Sequence, residues 1–289
     1  MTITSTDQLS GYIWFDGNLV DWTDAKIHVL THSLHYSGAA YEGERAYNGK
    51  VFKLAEHTRR LLESAKTLQL EVRYSFDDII KAHELVLKKN EIKDAYVRPL
   101  IWRGSESLGL ASKMLTTHML IAAVPSTPRQ VNGLNLHISR WQKSHPQAMP
   151  VQCKSSGHYN MMIVAEKEAF SSGFDDALLL DWRGYIAECT TTNIFFCKDK
   201  KIVTPIPDAF LNGITRQTVI ELAKNMGLEV TEGYLEPKDI EKFDECFITG
   251  TAAEVKGIGS IDIGNKKVVF NENEITQTLQ QAYANLVRR

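Results

Sequence analysis

The sequence predicts a mixed α/β (α+β) chain divided into two domains. Three observations carry this. Short alternating stretches meet at turn residues, beginning with Tyr12-Ile-Trp-Phe15 and Leu19-Val-Asp-Trp22 around Asp16-Gly17-Asn18, a hairpin signal. Between such stretches lie segments with apolar residues at helical spacing. Near the middle, the Pro-rich run Pro125-Ser-Thr-Pro128-Arg-Gln, ending near Gly133, interrupts both patterns and reads as a linker. The expected division is 1–126 for a smaller N-terminal α+β domain, 127–133 for the linker and 134–289 for a larger C-terminal domain.

Composition bounds the function. The chain has 289 residues, 43% apolar and 24% charged, enough to bury a sizeable core. The net charge of -2, with no run of like charges, gives no footprint for nucleic acid. The start, Met1-Thr-Ile-Thr-Ser-Thr-Asp-Gln, has neither a basic nor an apolar region of the secretory kind, and no apolar run reaches bilayer length. Cys153, Cys189, Cys197 and Cys246 are scattered without paired spacing, which suits free thiols in a reducing compartment. The expectation is a cytoplasmic protein.

In the first half, 25–30 alternates and reads as a further strand. Residues 31–47 are rich in Gly and aromatics and show poor periodicity. His28, His32 and His35 lie near one another in sequence but lack a Cys or carboxylate set, so packing is expected and no metal. Residues 51–54 read as a short strand. Residues 56–70 form an amphipathic helix with Leu61, Leu62, Ala65, Leu68 and Leu70 inward, and Arg59 and Arg60 open it. One of these arginines could reach an anion. Ser75 caps a helix running to Lys89. Residues 95–102 and 115–124 read as strands, the first turning Tyr96 and Arg98 to one face and Val97 to the other.

In the second half, 134–138 restarts a strand. Residues 177–181 pair with 186–189, and 193–197 with 201–203, as two hairpins. Residues 217–226 read as a helix, and 247–254 as a strand that breaks into a Gly-Thr turn.

The stretch Val151-Gln-Cys-Lys154-Ser-Ser-Gly157-His-Tyr159-Asn160 places one lysine among small residues at the entrance of a helix. Partly desolvated there, its amine could act as a nucleophile or a proton shuttle. Two turns could cradle an anion. One is Asn212-Gly213-Ile214-Thr215 before a helix, where uncapped N–H groups and a hydroxyl converge. The other is Thr249-Gly250-Thr251-Ala252. Glu188, at a hairpin end, is a candidate acid. A lysine, two anion turns, an arginine and an acid suggest a phosphorylated aldehyde cofactor, pyridoxal phosphate.

The pattern resembles the fold-type IV pyridoxal-phosphate aminotransferases, most closely the bacterial branched-chain-amino-acid aminotransferases. The resemblance rests on His35-Tyr36-Ser-Gly38, Tyr41-Glu-Gly43-Glu-Arg45, Glu56-His57 through Arg60-Leu61 and Ala95-Tyr96-Val-Arg98-Pro-Leu100. It continues through Lys154 with Gly157 and Tyr159, Gly184-Tyr185-Ile-Ala-Glu188 to Asn193-Ile-Phe, Gly213-Ile-Thr-Arg216 and Thr249-Gly-Thr-Ala-Ala-Glu254.

The resemblance implies a D-amino-acid-aminotransferase-like fold, with pyridoxal 5'-phosphate in the interdomain cleft and the C-terminal domain as its main binder. It implies that Lys154 carries the cofactor as a Schiff base and moves the α-proton. Tyr159 would bond the cofactor's phenolate oxygen and Glu188 would face its ring nitrogen. Arg60, the backbone at Ile214, Thr215 and Thr251 would hold the phosphate. Tyr36, Tyr41, Tyr96 and Arg98 would form the substrate pocket with Gly250, Thr251 and Ala252. The tyrosine rings would meet branched side chains, and Arg98 the second carboxylate of glutamate. The implied reaction is ping-pong transamination of leucine, isoleucine or valine with 2-oxoglutarate, in a homo-oligomer that is at least a dimer, with no nucleic-acid or membrane partner.

Four features depart from the family pattern: Tyr41 in place of phenylalanine, the order Ser37-Gly38, the run Cys189-Thr-Thr-Thr192 in place of a glycine-containing one, and Glu44 in place of an aliphatic residue. They bear on substrate range. Alternatives within the fold are a D-amino-acid aminotransferase and an aminodeoxychorismate lyase; outside it stands a cofactor-binding protein without turnover.

Overall fold

The computed structural model describes residues 5–126 and 133–289. The expected linker, 127–133, lies outside the described residues except for Gly133. Contacts divide the chain into two compact units, Met1–Thr127 with Cys153–His158, and Pro128–Gln152 with Tyr159–Arg289. The segment that carries Lys154 therefore groups with the first unit, although the sequence reading set it inside 134–289.

The first unit holds strands β1 (Tyr12–Phe15) and β2 (Asn18–Asp21), helix α1 (His32–Tyr36), strands β3 (Ala39–Tyr41), β4 (Glu44–Tyr47) and β5 (Lys50–Val51), helices α2 (Leu54–Thr67) and α3 (Phe76–Lys89), and strands β6 (Ala95–Arg103) and β7 (Thr117–Pro125). The strands form one sheet in the order β2-β1-β7-β6-β4-β5, with β3 also on β6. Strands β3 and β4 meet β6 on either side of a break. Tyr41 pairs with Leu100 and Glu44 with Val97. The gap at Glu42-Gly43 falls opposite Pro99, which has no N–H to give a regular ladder. Leu61 and Ala65 of α2, and Ile79, Ala82 and Val86 of α3, pack on Val97, Ile101 and Ile121 of the sheet as one buried core.

Several elements differ from the sequence reading. Residues 25–30 form no strand, because local turns take their backbone groups: Lys26 N–H bonds to Asp24 O and Thr31 N–H to His28 O. Helix α2 begins at Leu54 and stops at Thr67. Gln69 adopts φ +54°, its N–H bonds to Lys66 O and that of Leu70 to Ala65 O. This is a Schellman stop, and the expected inward Leu70 is its apolar plug. Ser75 caps α3 as the sequence implies, in a reciprocal box with Asp78.

The second unit holds β8 (Leu134–Gln142), α4 (Tyr159–Ser171), β9 (Asp176–Leu180), β10 (Ile186–Cys189), β11 (Asn193–Lys198), β12 (Lys201–Pro205), α5 (Ile214–Asn225), β13 (Glu229–Gly233), β14 (Glu245–Gly250), β15 (Glu254–Asp262), β16 (Lys267–Val269) and α6 (Glu274–Val287). Its strands run β10-β9-β8-β15-β14-β11-β12-β13, with β16 on β15. Strand β10 also pairs with β11, so β10-β9-β8-β15-β14-β11 close on themselves as a barrel. The ring closes at the pair Glu188–Asn193. Leu136, Leu178, Ile194, Phe196, Ile248 and Ile258 from these strands form its buried cluster. All four cysteines are buried free thiols, and burial pushes those of Cys189 and Cys246 well up from the ordinary range. Among the described residues, no helix is long and apolar enough to cross a membrane.

Candidate active site

In the first unit the backbone of Lys154 is fixed on both sides. Its N–H donates to Ser64 Oγ at 2.9 Å, and its carbonyl accepts from Tyr41 N–H at 3.2 Å. Ser155 bridges Ala40 of β3, and Ser156 Oγ donates to Ser37 O at 2.7 Å. The lysine thus rides beside a sheet strand rather than on a free loop. Its Nζ lies 5.0 Å from the Tyr41 ring centroid. Arg98 lies 4.6 Å from the same centroid and donates to Tyr96 Oη at 2.7 Å. Lys154, Tyr41, Tyr96 and Arg98 therefore gather within this unit. A Cβ at Gly43 would stand 2.3 Å from Tyr96 Oη, so glycine there leaves room for that hydroxyl. Tyr36 has its contacts elsewhere: it is half exposed and donates to Leu108 O at 3.3 Å.

Arg60 sits in the second turn of α2, not at its opening. Its Nε donates to Glu42 Oε1 at 2.6 Å and its Nη2 to Oε2 at 2.8 Å. His57 Nδ1 stands 2.8 Å from the same Oε2. Glu42 is fully buried. Burial alone would push its carboxyl up, but Arg60 and His57 outweigh it and hold it down at about 2. The neighbour of Arg60 in sequence, Arg59, lies over the Phe76 ring instead. Glu42 belongs to the motif around Tyr41, yet its sequence context alone assigns it no role. Glu44 is also core: it is fully buried, 3.1 Å from His83 Nε2 of α3, whose Nδ1 faces Ile79 O. The buried His83 faces it from α3, beside the hydrophobic core.

In the second unit, Glu188 and Asn193 pair across β10 and β11, and Asn193 pairs onward with Thr249 of β14. Gly250 and the turn Thr251–Ala253 follow directly. Glu188 accepts at Oε1 from Lys143 Nζ at 2.8 Å and at Oε2 from Asn193 Nδ2 at 3.3 Å. Asn193 Oδ1 in turn accepts from Gly213 N–H at 3.2 Å. A Cβ at Gly213 would stand 2.2 Å from Asn193 Oδ1, and one at Gly250 would stand 2.9 Å from Thr192 Cγ2. Both glycines are close-approach positions.

Helix α5 begins at Ile214, three residues earlier than its apolar spacing suggests. Ile214 and Thr215 are its first two residues, and no side chain caps it. Their N–H groups are among those left without an intrahelical partner, at the positive end of the helix dipole. Thr249 Oγ1 is buried nearby in strand order, with no partner among the described residues. Tyr159 opens α4 and packs against the cluster of Met162, Ala165 and Leu179. Within this unit Glu188, Gly250, Thr251 and the start of α5 come to one end of the barrel. Lys143 and Asn193 are members of the site that the sequence reading did not anticipate. Lys143 lies just past the end of β8 and is 45 residues from Glu188, a contact that exists only once β8 and β10 flank β9 in the folded sheet.

Residues 39–261 match the family described as Amino-transferase class IV. A chain from Rickettsia felis called "Probable branched-chain-amino-acid aminotransferase" is 59% identical over 289 residues, all of both chains. The crystal structure of the Escherichia coli branched-chain amino acid aminotransferase superposes with a TM-score of 0.92 at 35% identity, covering 96% of this chain and 95% of that one. The branched-chain amino acid aminotransferase from Thermobaculum terrenum, in its PLP form (holo form), gives a TM-score of 0.87 at 29% identity, covering 97% of this chain and 95% of that one. The chain belongs to the class IV aminotransferases.

Proposed function

We propose that this chain is a branched-chain-amino-acid aminotransferase. It transfers the amino group of L-leucine, L-isoleucine or L-valine to 2-oxoglutarate, yielding the branched 2-oxo acid and L-glutamate, with pyridoxal 5'-phosphate as cofactor. The observation that carries this reading is the full-length likeness, at 59% identity, to a chain of that name.

The residues present fit the cofactor. The open N–H groups of Ile214 and Thr215, with the hydroxyls of Thr215 and Thr251, suit a phosphate at the start of a helix. Arg60 adds a guanidinium whose plane Glu42 fixes. Glu188 is a buried carboxylate suited to a ring nitrogen, Tyr159 offers a hydroxyl for the phenolate oxygen, and Lys154 supplies the amine for the aldehyde. When bound, the cofactor supplies an electron sink that lets an amino acid lose its α-proton. Lys154 Nζ would take up that proton as the free amine and would give one up as the ammonium. The rings of Tyr41 and Tyr96 suit branched side chains, and Arg98 suits the second carboxylate of glutamate. Gly250, Thr251 and Ala252 of the second unit are proposed to contact substrate as well.

A homodimer and a cytoplasmic setting belong to the same proposal. Val29, Leu34, Leu110 and Met114 are exposed apolar side chains on two segments joined by His32 and Tyr36 to the carbonyls of Leu110 and Leu108. A patch of that kind suits a second copy of the chain. The purified protein, given L-leucine and 2-oxoglutarate, is expected to release 4-methyl-2-oxopentanoate and glutamate one for one. Turnover of D-alanine with none of L-leucine contradicts the proposal.

A further inference from the structure

The acid of the site does not stand on its own. Glu188 is buried at the seam of the barrel, where β10 meets β11, and each of its oxygens already accepts a hydrogen bond. One donor is Lys143, itself buried, which arrives from the end of β8. Its backbone N–H bonds to Leu180 O at 2.8 Å, which ties the residue to the end of β9. The other donor is Asn193, which is fixed in turn: its Nδ2 also reaches Leu211 O at 3.1 Å and its Oδ1 holds Gly213 N–H. Lysine rarely withdraws from water to this degree without a partner, and here the partner is this carboxylate.

We propose that Lys143 is the positioning residue for Glu188, holding the carboxylate charged and aimed so that a proton shared with the cofactor's ring nitrogen stays on nitrogen. The inference rests on the reading of Glu188 as the acid at that nitrogen. Three features lead to it. An ammonium at 2.8 Å favours the ionised carboxylate by direct charge attraction. With Lys143 on Oε1 and Asn193 on Oε2, the carboxyl group is held from both ends and cannot rotate. Through Asn193 the same frame reaches Gly213, so the acid and the start of α5 form one connected unit. Lys143 touches no reacting atom; it acts through Glu188 and nothing else.

The test is a double-mutant cycle on the reconstituted holoenzyme with Lys143→Met, Lys143→Arg, Glu188→Gln and the double variant Lys143→Met/Glu188→Gln. Three experiments are made: titration of the apo-protein with pyridoxal phosphate for Kd, the pH dependence of the visible absorption band, and steady-state kinetics for kcat and KM with L-leucine. Lys143→Met is expected to raise Kd about tenfold and lower kcat about thirtyfold, with KM within about threefold and the pH dependence of the band altered. Lys143→Arg restores all three to within about threefold, and the double variant is no worse than Glu188→Gln alone. Where Lys143→Met does not fold, Lys143→Gln carries the same measurements. Wild-type behaviour of the lysine variant beside an impaired Glu188→Gln overturns the positioning role alone, as does a further loss when Lys143→Met is added to Glu188→Gln. Wild-type behaviour of Glu188→Gln removes the acid's assignment, and the positioning role with it.

Discussion

Arg60 and Glu42 form a fork-to-fork pair, Nε to Oε1 at 2.6 Å and Nη2 to Oε2 at 2.8 Å, with Glu42 wholly out of solvent. The carboxylate fixes the plane of a guanidinium proposed to meet phosphate, and it does so from a strand break rather than from the helix itself. Glu42→Gln removes the buried carboxylate that Arg60 and His57 share. It is expected to destabilise the fold by about 3–5 kcal/mol and to weaken cofactor binding about tenfold or more, read by denaturant melts and cofactor titration. The pH dependence has a defined sign. The folded carboxyl sits at about 2 against an ordinary 4.5, so its contribution is present above pH 4.5 and lost as pH falls toward 2. That contribution is on the order of 3 kcal/mol, and the variant should show a shallower acid limb.

Gly213 is required by Asn193 rather than by its own backbone angles, which are φ -61° and ψ 139°. Gly213→Ala would set a methyl 2.2 Å from Asn193 Oδ1 and force the amide away from Glu188. The expected cost is about 1–3 kcal/mol in stability, with a larger fractional loss in cofactor affinity. Equal affinity for cofactor in wild type and variant would contradict the link between the acid and the helix start.

Glu44 and His83 form a buried pair remote from solvent. Replacing both by leucine is expected to leave stability within about 1–2 kcal/mol of wild type or above it, whereas Glu44→Leu alone costs about 3–5 kcal/mol. Turnover of leucine, isoleucine and valine should keep its ranking in the double variant. A changed ranking would show that Glu44 does bear on substrate choice.

Asp176 illustrates the opposite pH sign. Burial pushes its carboxyl up to about 6, against hydrogen bonds from the Thr190 hydroxyl and the Ala177 N–H. The folded state therefore prefers the protonated form: stability is greatest below about pH 4 and falls as pH rises toward 6, by roughly 3 kcal/mol. Asp176→Asn keeps the acceptor and removes the charge. Its thermal midpoint is expected to rise by about 4 °C at pH 7.5 and to change little at about pH 4. An equal shift at both pH values would contradict the assignment.

Local chemistry made much of this fold legible. The Asp16-Gly17-Asn18 turn, the Ser75 cap and the alternation of β6 are written in neighbouring residues, and each appears in the structure. The residues lost from view answer to partners far along the chain. Helix α6 has no local cap; its first N–H groups, at Ile275 and Thr276, bond to the Glu245 carboxylate of β14. The start of α5 at Ile214 was misplaced because an uncapped Gly213 gives no signal of its own. Lys154, Tyr41, Tyr96 and Arg98 could be named from motifs, but Glu42 and Lys143 could not, since their roles exist only once the strand break meets α2, or once β8 and β10 are set on either side of β9. The alternating stretch 25–30 forms no strand because alternation alone does not provide a sheet edge to join.

Lys154 is proposed to carry pyridoxal phosphate, with L-leucine as a substrate. The absorption spectrum of the purified protein before and after addition of L-leucine tests it most directly. The expected result is a visible cofactor band that L-leucine moves to shorter wavelength, that D-alanine leaves in place, and that is missing in Lys154→Ala. A band that D-alanine moves and L-leucine does not, or one that persists unchanged in Lys154→Ala, would contradict it.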